Sequence, residues 1–195
     1  MSSHHFVREG QEPALFILEA THYSVAEGLL EWAPLVIVAE SALEEVLLWG
    51  IKIDVVLAAD DHTGILVERL ADQAPIKIFS AGDDVVSTGL QLLGSMGESA
   101  VAILTSDFSD TIRHKIETTG HRLLVTVKAD GRKWILVSSG SFKKWYQASS
   151  LIYFSDKTIA GGIPGLQPLN EGFEVPEDQW IIIQNPKPFW IGEML

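Results

Sequence analysis

Ile51-Lys52-Ile53-Asp54-Val55-Val56-Leu57-Ala58-Ala59-Asp60-Asp61-His62 is the stretch on which the reading of this chain turns. Its apolar residues run without alternation up to two carboxylates. Such a run reads as a strand covered on both faces, the condition of a strand inside a parallel sheet. In folds built on such sheets, ligands bind beyond the carboxyl ends of the strands. The stretch therefore carries two acids and a histidine to an edge where binding takes place.

Runs of the same kind flank it. Residues 35–39 end at Glu40 and residues 14–18 end at Glu19, while residues 76–79 end at Ser80-Ala81-Gly82-Asp83-Asp84. Residues 100–104 open into Thr105-Ser106-Asp107-Phe108-Ser109-Asp110. Between them lie helical segments. Residues 25–32 follow Ser24, which stands with Glu27 in capping-box positions, residues 42–49 take Ser41 as their cap and stop at Gly50, and further helices span 64–71, 85–96 and 111–118. Alternation of strand and helix with short connections predicts a doubly wound α/β layer on a parallel sheet.

After Gly120 the pattern changes. Residues 122–127 and 133–137 flank Ala129-Asp130-Gly131-Arg132, and an Asp-Gly step between two β-rich runs is a hairpin signal. Residues 149–154 and 180–183 read as further strands, with no helical period between. The expected organisation is an α/β, nucleotide-binding-like domain over 13–120, followed by a small antiparallel, sandwich-like β domain over 121–195. Trp134, Trp145, Trp180 and Trp190 concentrate in the second part, where each is either core or a stacking platform for a flat ligand.

Composition narrows the function classes. Fourteen basic against 26 acidic residues give the 195-residue chain a net charge of −12, which argues against nucleic acid or an anionic membrane as partner. Cysteine is absent, so disulfides, thiolate zinc sites and thiol catalysis are excluded. A mean hydropathy of +0.19 supplies a real core, yet no apolar run reaches the roughly 20 residues that span a bilayer. The polar residues 1–13 lack a signal peptide's apolar centre, so a soluble, cytoplasmic protein is expected. His4-His5 in that tail reads as a polar terminal pair.

Glu19, Glu40, Asp60, Asp61, Asp83, Asp84, Asp107 and Asp110 all follow strand ends that a parallel sheet places on one edge. Converging carboxylates repel unless a cation sits among them. Mg²⁺ held by one or two carboxylates together with substrate phosphates answers that repulsion and points to a nucleotide-phosphate site. The same acids also suit helix N-termini, where free N–H groups and the helix dipole favour them. Asp60-Asp61 stands out because one cap needs only one carboxylate.

Other motifs are missing or weak. Glu19-Ala20-Thr21-His22-Tyr23 follows the first strand where a dinucleotide-binding fold would place G-x-G-x-x-G, and there is no G-x-x-x-x-G-K-[ST]. Gly161-Gly162 and Gly165 read as a β connection and Ser138-Ser139-Gly140-Ser141 as a loop. His22, His114 and His121 show no ligand spacing and read as surface or capping residues.

The order of elements and the strand-end residues resemble thiamine pyrophosphokinases. The resemblance spans nearly the whole chain in layout and is specific over 35–104. Gly50-Ile51-Lys52-Ile53-Asp54 matches a phrase that ends a helix in that family. Glu40 stands where the family has Asp. The family's Gly-Asp-x-Asp-Ser turn is replaced by Ala58-Ala59-Asp60-Asp61-His62, with Asp61 at the second Asp position and Ala59 at the first. Asp84 matches the Asp of a Lys-Thr-Asp helix start. After the fifth strand, a Gly-Gly-Arg-x-Asp-His segment is reduced to residues 105–111, where Asp110 alone matches.

The resemblance implies Mg²⁺ and ATP as cofactors and thiamine or a similar alcohol as substrate. It also implies a homodimer, with Asp61 and Asp84 as catalytic residues. Asp60, Asp61 and Asp84 are the implied metal ligands, and Glu40, Asp60, His62, Asp83 and Asp110 the implied cofactor-binding residues. Two readings follow. In one, the protein moves pyrophosphate from Mg–ATP to thiamine or a related alcohol, a pterin-like one included. In the other, having lost the glycine pair and arginine, it survives as a ligand-binding or structural dimer.

Overall fold

The computed structural model describes residues 12–120, 122–156 and 163–195, so the readings of His4, His5, His121, Gly161 and Gly162 lie outside the described residues. The chain divides into two compact units, one ending at Val125 and the other beginning at Thr126.

The first unit is an α/β layer. Its strands are β1 (Ala14–Ile17), β2 (Val36–Ala39), β3 (Val55–Ala58), β4 (Lys77–Ser80) and β5 (Ala100–Leu104). They pair in parallel in the order β5-β1-β2-β3-β4. The first three strands are buried along their whole length, which explains why their sequences do not alternate. β4 is the edge strand of this unit and largely exposed, and its Lys77 and Ser80 fit that place.

Helices α1 (Tyr23–Leu30), α2 (Leu43–Leu48), α3 (Thr63–Arg69), α4 (Val85–Ser95) and α5 (Asp110–Thr119) cover the sheet. Ala26 of α1, Leu43 and Val46 of α2 and Leu66 of α3 pack in one cluster with Leu15, Ile17, Val38, Val56 and Leu104. The opposite face carries Phe16 and Leu57. Gly89 of α4 comes so close there that a Cβ would lie 2.4 Å from the Phe16 ring.

Two helix starts differ from the sequence reading. α1 begins at Tyr23 after His22 with no side-chain cap, so Ser24 and Glu27 form no capping box. The Ser24 hydroxyl lies 3.4 Å from His22 Nδ1 instead. Ser41 does not cap α2: a 3₁₀ turn over Glu40–Ala42 precedes that helix, and the Ser41 hydroxyl donates to the Leu18 carbonyl. Each hydroxyl has a competing partner that spacing along the chain does not reveal. Gly50 does end α2, with φ of +64°.

The second unit is antiparallel. Its strands are β6 (Leu124–Ala129, of which it holds Thr126 onward), β7 (Arg132–Val137), β8 (Ser141–Tyr146), β9 (Leu151–Phe154), β10 (Gln167–Pro168), β11 (Phe173–Glu174), β12 (Gln179–Gln184) and β13 (Phe189–Met194). One sheet runs β10-β11-β9-β13-β7-β6, and β12 pairs with β8 separately. Asp130 and Gly131 both have positive φ at the β6–β7 hairpin, as the Asp-Gly step predicts. Tyr146, Ile181 and Ile183 from the small sheet meet Val137, Ile152, Phe154, Phe189 and Ile191 from the large one in a shared core. Sequence reading missed β8 and β13. β8 is mostly exposed, with Lys143 and Lys144 interrupting its aromatic residues, and β13 is held between β7 and β9 by long-range pairing.

Gly89→Ala sets two effects against each other. Alanine improves helix propensity by up to about 1 kcal/mol, but the added methyl group must displace a fully buried ring, an overpacking cost of about 1–3 kcal/mol. The clash is expected to win, with a lower urea midpoint and an unchanged m-value.

Candidate functional site

Because β1 to β5 are parallel, their carboxyl ends share one rim. Strand order reverses between β1 and β5: successive strands step from β1 to β4 in one direction, and β5 lies on the other side of β1. That is the switch point at which open α/β sheets bind ligands.

Glu19 sits at this point. Its carboxylate accepts from the Thr105 hydroxyl at 3.1 Å, from the Ser106 amide at 2.9 Å, and from the Ser106 hydroxyl. The Ser106 hydroxyl, with these other donors, holds the carboxyl below its ordinary value against the cost of burial. Glu19 thus ties the end of β1 to the loop after β5. The sequence placed Glu19 at a strand end but gave it no role, because its partners lie 86 and 87 positions away.

Glu40, Ala59, Asp60, Asp61, His62 and Ser80 form a second group on the rim. Glu40 Oε2 accepts the Ala59 N–H at 3.0 Å, and Oε1 lies 2.6 Å from His62 Nδ1. The other ring nitrogen of His62 is 3.9 Å from Asp61 Oδ2. Asp60 accepts a hydrogen bond from the Ser80 hydroxyl. The hydrogen bond to Glu40, then the charges of Glu40 and Asp61, raise the His62 pKa. Asp61 extends into solvent, its side chain 83% exposed.

The remaining sequence-predicted residues are engaged separately. Asp84 is the N-cap of α4: its Oδ1 accepts the Ser87 N–H at 3.1 Å and also meets Lys115 Nζ at 3.0 Å. Burial works against its ionisation, but Lys115 and Ser87 outweigh that and hold the carboxyl below its ordinary value. Asp110 opens α5 beside its ion-pair partner Arg113. Asp83 is exposed. His22 and His114 are exposed as well. Asp54, at the opposite end of β3, accepts the Val36 N–H at 2.9 Å and pairs with Lys52 at 2.5 Å.

The rim therefore gathers Glu40, Asp60, Asp61 and His62, while Asp84 and Asp110 serve their own helix starts. Among the described residues, no three acids or histidines form a group that could hold a metal ion. Mg²⁺ demands near-octahedral oxygen ligands at about 2.1 Å, and an oxygen already facing an ammonium or imidazole suits it poorly. Glu40 and Asp84 as arranged do not fit a protein-held Mg²⁺, and Asp60 with Asp61 supplies too few ligands to hold one without substrate phosphates.

Two titrations test these contacts. A raised folded pKa for His62 means that its contribution to stability is complete below pH about 6.5 and fades as pH rises through the folded value. In Glu40→Gln, proton NMR titration of His62 is expected to show its pKa falling back toward the ordinary value. For Glu19 the sign reverses: its contribution is present above its ordinary value of 4.5 and is lost as pH falls through the lowered folded value. Glu19→Gln is expected to cost about 1–2 kcal/mol at pH 7 by urea unfolding, with the difference closing in acid.

No family model and no curated protein sequence matches the chain. Solved structures do. Thiamine pyrophosphokinase from Bacillus subtilis superposes with a TM-score of 0.63 at 14% identity, covering 93% of this chain and 98% of that one. Yeast thiamin pyrophosphokinase gives 0.64 at 9% identity, over 96% and 88% of the two chains. The enzyme from Candida albicans gives 0.60 at 7% identity, over 94% and 90%. Across both units, this chain has the fold of the thiamine pyrophosphokinases.

Proposed function

We propose that this is a thiamine-pyrophosphokinase-like protein that binds a small molecule at the carboxyl rim of its α/β unit and has largely lost pyrophosphate transfer. The fold supports the binding half of this reading. The engagement of Asp84 supports the other half. The residue matched to the family's acid at the start of this helix caps α4 and faces the Lys115 ammonium. Ala59 in place of an acid, and the absence of the glycine pair and arginine after β5, point the same way. Phosphoryl transfer rests on positioning and charge neutralisation and tolerates few omissions. The expected ligands are thiamine or a related alcohol and ATP, and the expected assembly is a cytoplasmic homodimer. Among the described residues, no helix is long and apolar enough to cross a membrane.

A second reading, full enzymatic activity, is favoured by one observation. Asp60 and Asp61 form an exposed doublet after β3, and an ion carried on ATP phosphates needs only one or two protein carboxylates.

Calorimetry with thiamine and with Mg²⁺ plus a non-hydrolysable ATP analogue, paired with a thiamine diphosphate assay, separates the two. Saturable binding is expected, with turnover well under the roughly 1 s⁻¹ that marks the low end of ordinary enzymes. Ordinary turnover would establish the second reading. Silence toward every ligand by folded protein would remove both.

A further inference from the structure

One face of the large sheet in the second unit begins apolar and ends in charge. Ile135 and Val137 of β7 and Ile191 of β13 belong to the shared core, and strand alternation puts Lys133 and Glu193 on that same face. Lys133 stands directly opposite Glu193 on one side and directly opposite Lys128 of β6 on the other. The small sheet adds Lys144 and Tyr146 of β8. Lys144 Nζ meets both carboxylate oxygens of Glu193, at 2.6 and 2.7 Å, and the Tyr146 hydroxyl donates to Oε1.

Glu193 is thereby committed to β8. Burial, and then the hydrogen bond to Glu193, push the Tyr146 hydroxyl above its ordinary value, so it stays a donor. The Lys133 ammonium is left with no ion-pair partner among the described residues. Across from it, burial and then the charge of Lys133 hold the Lys128 ammonium below its ordinary value.

The Lys128–Lys133 arrangement carries a cost. Residues directly opposite in an antiparallel pair have Cβ atoms about 5 Å apart, and like charges placed there are destabilising. Both side chains are half-buried, and partly buried charges are screened less by salt than exposed ones. Ammonium groups from β6, β7 and β8 thus gather around the Glu193 carboxylate, a local positive surplus in a chain whose net charge is −12. Each ammonium has three donors and no acceptor. An anion placed between Lys128 and Lys133 turns their repulsion into two attractions.

We propose that Lys128 and Lys133, with Lys144 behind them, form a site for a small multivalent oxyanion of the phosphate class, whose oxygens accept from Lys128 and Lys133 while Lys144 stays on Glu193. A doubly charged oxyanion is favoured over chloride because separate oxygens serve the two ammonium groups with charge-assisted hydrogen bonds. The site lies wholly within the second unit and does not depend on the rim reading.

Inorganic phosphate, and glycerol phosphate as the ester form, are titrated into the full chain by calorimetry without added metal, at an ionic strength held constant with sodium chloride. At least one is expected to bind saturably with a Kd of about 1 mM, the affinity that two or three hydrogen bonds to charged groups supply; the tighter of the two identifies the free ion or the ester as the occupant. Lys128→Gln and Lys133→Gln are each expected to weaken that binding at least about tenfold, the loss of one such bond. Because each also removes a like-charge contact, the urea midpoint of both variants in phosphate-free buffer is expected to equal or exceed that of the wild type. Lys143→Gln, which removes the same charge from an exposed position of β8, is expected to leave the binding unchanged. Absence of saturable binding of either anion to the folded wild type overturns the proposal. So does binding indifferent to both Lys128→Gln and Lys133→Gln, or binding that Lys143→Gln weakens as much as they do.

Discussion

A parallel sheet covered on both faces is the constraint on which the α/β unit depends. Every strand inside the sheet must be apolar, since neither face reaches water, while the edge strand β4 stays largely exposed. Polar side chains are therefore displaced to the strand ends. β1, β2 and β3 are buried throughout, and Glu19, Glu40 and the Asp60-Asp61 pair follow their carboxyl ends directly. The acidic rim is thus a consequence of how the core is built.

An acidic rim must relieve its own repulsion, and this chain does so with its own donors. His62 stands between Glu40 and Asp61, Lys115 meets Asp84, Arg113 meets Asp110, and Ser106 serves Glu19. Each contact is exposed or half-buried, so each is individually modest. Together they occupy several of the carboxylate oxygens that follow the strand ends. The fold shared with thiamine pyrophosphokinases and the chemistry at the rim are therefore separate questions, as they are for any fold that hosts a site built from loops.

The antiparallel unit uses its aromatic residues unevenly. Trp190 is fully buried and Trp134 nearly so, whereas Trp145 and Trp180 stand about half exposed, edge to face at 5.6 Å on the small sheet. Lys143 lies 4.7 Å from the Trp180 ring and shields part of it. Composition alone could not divide these four into core and surface, because a tryptophan suits both.

Local chemistry determined what the sequence disclosed by itself. Unbroken apolar runs at residues 14–18, 35–39 and 100–104, the Asp130-Gly131 turn and the Gly50 stop each depend on neighbours only a few positions away, and the alternation of strand and helix follows from them. The acids at the strand ends were legible for the same reason. Which of them meet was decided by tertiary structure. Asp84 with Lys115, Glu19 with Ser106, and Glu40 with His62 are pairs 31, 87 and 22 positions apart. β8 and β13, and the gathering of lysines around Glu193, likewise exist only once distant strands are paired. Hydrophobic periodicity fixes which face of an element is buried, but only packing fixes which polar groups share the space beyond its ends.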